Sequence, residues 1–106
     1  LAIRGDDPNR TVPDGLPDKA KEALHRVFAR PDPELYVVAY VGMHGSTGYL
    51  PRINYVVLRR GILNEWLVVN YSVNQPLGGA TVMTYPFVIV RVNANVRASD
   101  VVFERQ

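Results

Sequence analysis

The strongest constraint on this fold is residues 35–41, Leu-Tyr-Val-Val-Ala-Tyr-Val, an uninterrupted run of aliphatic and aromatic side chains. Its length and β-branched content predict a strand. Successive side chains of a strand point to opposite faces, so a run apolar at both parities predicts a strand covered on both sides. A layered fold supplies that cover, with a helix against one face and a second sheet, or the rest of a barrel, against the other.

The rest of the chain supplies those layers. Residues 1–16 carry Gly5, Asp6, Asp7, Pro8, Asn9, Pro13, Asp14 and Gly15, turn formers with little apolar content, and predict a flexible arm or linker. Residues 18–30 place Ala20, Ala23, Leu24, Val27 and Phe28 at helical spacing, which predicts one amphipathic helix. Pro17 suits its start, Asp18 and the pair Arg26 and Arg30 suit its dipole, and Pro31 and Pro33 stop it. His25 on its flank reads as solvent-facing. Downstream, residues 52–59 set Ile53, Tyr55 and Val57 against Asn54, Val56 and Leu58. Residues 65–73 set Leu67, Val69, Tyr71 and Val73 against Trp66, Val68, Asn70 and Ser72, and a turn through residues 60–64 joins the two strands as a hairpin. A strand at 82–92 and a short closing strand at 100–105 bring the expected count to five. Pro86 cannot donate a ladder hydrogen bond, which confines it to an edge, a bulge or a strand start, and Tyr85 before it makes a cis peptide worth checking. The expected architecture is mainly β: an antiparallel sandwich or partly open barrel of about five strands, formed by residues 17–106 as a single domain with the helix at its N-terminal side.

Composition narrows the partners. A chain of 106 residues supports one core. Twelve basic and ten acidic residues leave a net charge of +2, and the ten arginines are spread along the chain rather than gathered on one face, which argues against a nucleic-acid partner. The absence of cysteine excludes disulfides and thiolate chemistry. The longest apolar run is far short of the ~20 residues of a membrane helix, so no membrane span is expected. The start at Leu1 rather than Met suggests a processed form or an excised domain.

Residues 41–49, Val-Gly-Met-His-Gly-Ser-Thr-Gly-Tyr, form a glycine-punctuated loop between two apolar runs. Gly42, Gly45 and Gly48 could suggest a phosphate cradle, but such a loop opens a helix, and here Pro51 and a strand follow. Ser46 lacks the Gly-x-Ser-x-Gly setting of a nucleophile, although His44 stands two residues away. His25 and His44 are the only imidazoles, and the carboxylates show no ligand spacing, so neither a metal nor another cofactor is expected. The glycines themselves need no more explanation than a connection that uses positive φ. The loop's Met43, His44 and Tyr49 are left over as groups suited to meeting a partner.

The order of a strand, a Thr47-Gly48-Tyr49 loop, a hairpin, a Pro76-Leu77-Gly78-Gly79 turn and a Thr84-Tyr85-Pro86 strand resembles the C-terminal domain of PrcB-type protease-complex subunits, over residues 36–92. The resemblance places the family's glycine loop on Gly42, Thr47, Gly48 and Tyr49, its turn on Pro76 and Gly78, and its final strand on Tyr85 and Pro86. It implies a bacterial, extracytoplasmic and non-catalytic protein, in the cell envelope or secreted, that supports a protease complex. This sequence departs from the family's lipoproteins in having no cysteine for lipid attachment.

The functional expectation is therefore a protein-binding domain rather than an enzyme, with a protease as the partner the resemblance implies. Its partner surface is expected on Met43, His44, Thr47, Tyr49, Arg52 and Leu77, shaped by Gly42, Gly45, Gly48, Pro76, Gly78, Gly79 and Pro86. The alternative is a small-ligand or carbohydrate-binding module of the envelope using the rings of Tyr55, Trp66 and Tyr71, although strand periodicity assigns all three to the sheet core.

Overall fold

A computed structural model of the chain describes residues 1–40, 42, 50–74 and 85–106. In chain order the described elements are β1 (Ala2–Arg4), α1 (Asp18–Phe28), β2 (Leu35–Tyr40), β3 (Leu50–Arg60), β4 (Glu65–Asn74), β5 (Phe87–Val92), a 3₁₀ turn (Ala98–Asp100) and β6 (Val101–Arg105). The fold is mainly β, as expected, with six described strands where the sequence predicts five. They form two three-stranded sheets, ordered β1-β2-β5 and β3-β4-β6.

Strand β2 is central in the first sheet, and Leu35, Tyr36, Val37, Val38 and Ala39 are all buried. Both predicted covers are present. On one face Val38 packs with Ile3 of β1 and Leu24 of the helix; on the other, Leu35 and Val37 share a core with Leu67 and Val69 of β4. The helix buries Ala20 and Leu24 and half-buries Ala23, Val27 and Phe28, which is the predicted stripe. It ends at Phe28, two residues before the predicted end, and Arg10 donates from Nη2 to the Phe28 carbonyl at 2.9 Å. A cation there suits the negative end of the helix dipole.

The extra strand lies inside the expected arm. Ala2, Ile3 and Arg4 pair with Val37, Tyr36 and Leu35. Three residues are too few to show a period, and their stabilisation is remote in sequence. Arg4 donates from Nη1 to the carbonyls of Ala94 (2.6 Å) and Val96 (3.3 Å) and from Nη2 to that of Pro33 (2.9 Å). The same guanidinium forms a two-pronged pair with Asp6, at 3.0 and 2.9 Å. Holding the 93–97 connection in this way accompanies burial of Val96 in the shared core. Gly5 continues the attachment: its N–H donates to the Glu34 carbonyl at 2.8 Å, and its carbonyl accepts from Asp32 at 3.2 Å. A Cβ on Gly5 would collide with Asp32 Oδ1 and lie 2.9 Å from the Asp32 carbonyl oxygen, so this approach needs glycine.

Two further differences concern the second sheet. The β3–β4 hairpin forms as predicted, closed by Gly61 N–H on the Asn64 carbonyl at 2.7 Å. The predicted alternation along β3 fails, however, because the register shifts between Ile53 and Tyr55, a bulge at Asn54. Ile53 and Val56 both face the core, while Tyr55 and Val57 turn outward. Strand β6 pairs with β4 in parallel, so the expected antiparallel arrangement holds for three of the four described pairings. Between β4 and β6 the chain passes through β5 in the other sheet, and the closing strand re-enters in the same direction as β4. Pro86 directly precedes β5, and no cis peptide occurs among the described residues, so the Tyr85–Pro86 bond is trans.

The interior generates two predictions. Leu35→Ala should cost about 2–5 kcal/mol in urea unfolding, as expected for a fully buried aliphatic, and Gly5→Ala about 1–3 kcal/mol from overpacking against Asp32. The second concerns acid. Tyr36, buried edge-on against Phe28, donates its hydroxyl to Asp32 Oδ2 at 2.6 Å, and this bond, with the Glu34 N–H, holds the Asp32 carboxyl below its ordinary range. A depressed folded-state pKa stabilises the fold above the ordinary value near ~3.9, and that contribution disappears as pH falls through the folded value. Denaturant midpoints should therefore fall in acid more steeply for the parent chain than for Asp32→Asn.

Candidate functional site

The residues selected from the sequence divide into two groups. Met43, His44, Gly45, Thr47, Gly48, Tyr49, Pro76, Leu77, Gly78 and Gly79 lie outside the described residues, as does Ser46. Of the described ones, Gly42 follows β2 with φ +84°, a left-handed conformation that explains glycine there. Arg52 is exposed on β3 opposite Ser72, and Pro86 leads into β5. The strand ends flanking the two loops are themselves paired: Tyr40 with Phe87, and Leu50 with Asn74. The 41–49 and 75–86 connections thus join the same two pairs of strand ends.

The described chemistry gathers on the second sheet. Leu67 and Val69 of β4 point into the core, so alternation turns Trp66, Val68, Asn70 and Ser72 to the opposite face. Register carries Arg52, Tyr55, Val57 and Arg59 of β3, with Val102 and Glu104 of β6, onto that same face. No helix or strand among the described residues packs over it. Tyr55 is 45% exposed and Val102 50% exposed, whereas Val68 and Asn70, on the central strand, are buried by their neighbours.

The bulge directs the polar part of this face. Asn54, the extra residue of β3, donates from Nδ2 to Asn70 Oδ1 (2.9 Å) and to Gln106 Oε1 (3.0 Å), and its own Oδ1 accepts from Ser72 Oγ (3.3 Å). Asn70 Nδ2 donates in turn to Glu104 Oε1 at 3.1 Å. Asn70 is 3% exposed, and both ends of its amide are satisfied, as a buried polar group requires. The cluster holds amides, a carboxylate and one hydroxyl. Ser72 gives its proton to an amide oxygen rather than to a base, an arrangement that does not activate its hydroxyl as a nucleophile.

Three aromatic positions considered from the sequence separate here. Tyr55 and the half-buried Trp66 occupy the open face, against the expectation of core positions, because the bulge moved Tyr55 and no helix or strand among the described residues covers the face. Tyr71 faces inward and packs edge-on against Phe103 at 6.5 Å. Elsewhere, His25 is exposed beside an open cleft of 570 Å³ that Pro8, Arg10 and Phe28 also line. Among the described residues no three His, Asp or Glu side chains group as metal ligands, and no helix is long and apolar enough to cross a membrane.

Strand parity assigns Asn54 and Asn70 to a face and marks neither as part of a site. The available signal was an asparagine amid Leu67-Val68-Val69 and Tyr71, a polar group in a strand otherwise reading as core. No family model matches the chain, and no curated protein or solved structure matches it.

Asn70→Ala should cost about 1–3 kcal/mol by leaving its polar neighbours short of partners. A double-mutant cycle with Asn54→Ala should give a coupling of about 0.5–3 kcal/mol, measured by urea unfolding.

Proposed function

We propose that this chain is a non-catalytic protein-binding domain, built as an open sandwich of the two sheets and binding through the outer face of β3-β4-β6. One observation carries the reading: Tyr55, Trp66, Val57 and Val102 share a face with Arg52 and Arg59, with no helix or strand among the described residues above them. Aromatic and arginine side chains around an apolar centre are what protein interfaces enrich. The hydrogen bond from the exposed Asn54 to the buried Asn70 gives the face a fixed shape before any partner arrives. Tyr49, Met43, His44, Thr47 and Leu77 lie outside the described residues and are kept in this proposal as partner contacts, since Leu50 and Asn74, the described strand ends nearest them in sequence, belong to the same sheet as Arg52.

The partner class follows from the resemblance to PrcB-type subunits. The proposed role is an accessory or stabilising subunit of a bacterial extracytoplasmic protease complex, acting in the cell envelope or outside the cell. A second reading, glycan binding, draws on one observation, the amide and carboxylate cluster lying beside the exposed Tyr55 ring. Crosslinked pull-down from the source cell's envelope fraction separates the two. Recovery of a protease whose affinity falls tenfold or more with Arg52→Ala or Tyr55→Ser is the expected result. Unchanged affinity in both variants would remove the face from the account, and saturable oligosaccharide binding lost in Tyr55→Ser would favour the second reading.

A further inference from the structure

The β3–β4 hairpin extends past its own sheet. Only Leu67 to Tyr71 of β4 have β6 beside them, so Glu65 and Trp66, with Arg59, Arg60 and the turn, form a two-stranded tip. At its end stand Ile62 and Leu63, exposed to 101% and 95%. Side chains this exposed contribute nothing to the core, and two adjacent aliphatics held in water at a projecting turn are available to another phase. The turn is fixed rather than slack. Gly61 closes it on Asn64, and the Trp66 ring lies against Gly61, where a Cβ would come within 3.2 Å of it.

We propose that this tip is a peripheral membrane contact, inserting Ile62 and Leu63 into the headgroup and acyl boundary of an anionic lipid surface. This goes beyond the protein-binding reading: it shares Trp66 and Arg59 with that face but rests on Ile62 and Leu63, which lie outside it. Three features favour lipid over protein. Two side chains at a point are a small part of the ~800 Å² per partner that a specific protein interface buries, whereas a bilayer accepts a narrow wedge. The wedge has cations beside it: Arg59 and Arg60 are exposed next to it, and Glu65, paired with Arg60 at 3.0 Å, offsets one of them. Directly behind it sits an indole, the side chain that favours the interfacial level of a bilayer. Aliphatic end, indole behind and arginine at the rim follow the polarity gradient met on entering a membrane surface.

Trp66 is the only tryptophan in the chain, so it reports on the tip without a label. Vesicles of phosphatidylcholine alone and of equal parts phosphatidylcholine and phosphatidylglycerol should be titrated into the intact chain, following Trp66 emission and co-sedimentation. Anionic vesicles should shift the emission to shorter wavelength and carry the protein down. Ile62→Ser with Leu63→Ser should weaken binding tenfold or more, and Arg59→Gln about fivefold for anionic vesicles only. Both sites are solvent-exposed, and unchanged urea midpoints will verify that the variants fold. An unshifted emission with the protein left in the supernatant overturns the proposal, as does vesicle binding that survives the double serine substitution. Arg52→Ala should leave vesicle binding intact, which keeps this test separate from that of the sheet face.

Discussion

The fold depends on burying both faces of β2. A strand with Leu35, Tyr36, Val37, Val38 and Ala39 all withdrawn from water needs two covering layers, and each buried aliphatic contributes about 1.5–3 kcal/mol only when its cover is in place. The helix provides one cover through Leu24, and β4 provides the other through Leu67 and Val69. The second sheet is thereby committed on its inner face. Its outer face meets no described helix or strand, and the amphipathic composition of this face is what the proposed binding role rests on.

Attachment of the first residues is a second requirement of the same core. The Arg4 guanidinium serves carbonyls on both sides of β2, from Pro33 to Val96, and fixes the connection that places Val96 between the sheets. The planar fork of arginine suits this task, since several donors leave one rigid group in different directions. The Arg4 pair with Asp6 keeps that carboxyl below its ordinary range, chiefly through the hydrogen bond. What reads in sequence as a loose run of Asp, Pro, Gly and Asn is partly held by contacts 29 to 92 residues away.

Legibility in the sequence followed the range of the interactions. The two-sided burial of β2, the helix and its stripe, and the β3–β4 hairpin are written in local periodicity, and each was legible there. Strand β1 was not, because three residues carry no period. The outward turn of Tyr55 was not, because a bulge breaks the alternation without altering the composition. The parallel entry of β6 depends on which sheet β5 joins, a choice made by packing. For the candidate site, Arg52 and the glycine at position 42 were legible as an exposed arginine and a positive-φ turn. Asn54 and Asn70 became a site only when the bulge placed one amide over the other.

Amide hydrogen exchange, resolved to single residues in the intact chain, tests the dependence on β2 most directly. The account predicts that Val37, Val38 and Ala39 of β2 and Val69 of β4 exchange only through global unfolding, at a common free energy matching that from urea. It predicts that Ile62 and Leu63 exchange orders of magnitude faster. Exchange of the β2 amides through a local opening well below the global value, while β3 and β4 remain protected, would contradict a fold organised around that strand.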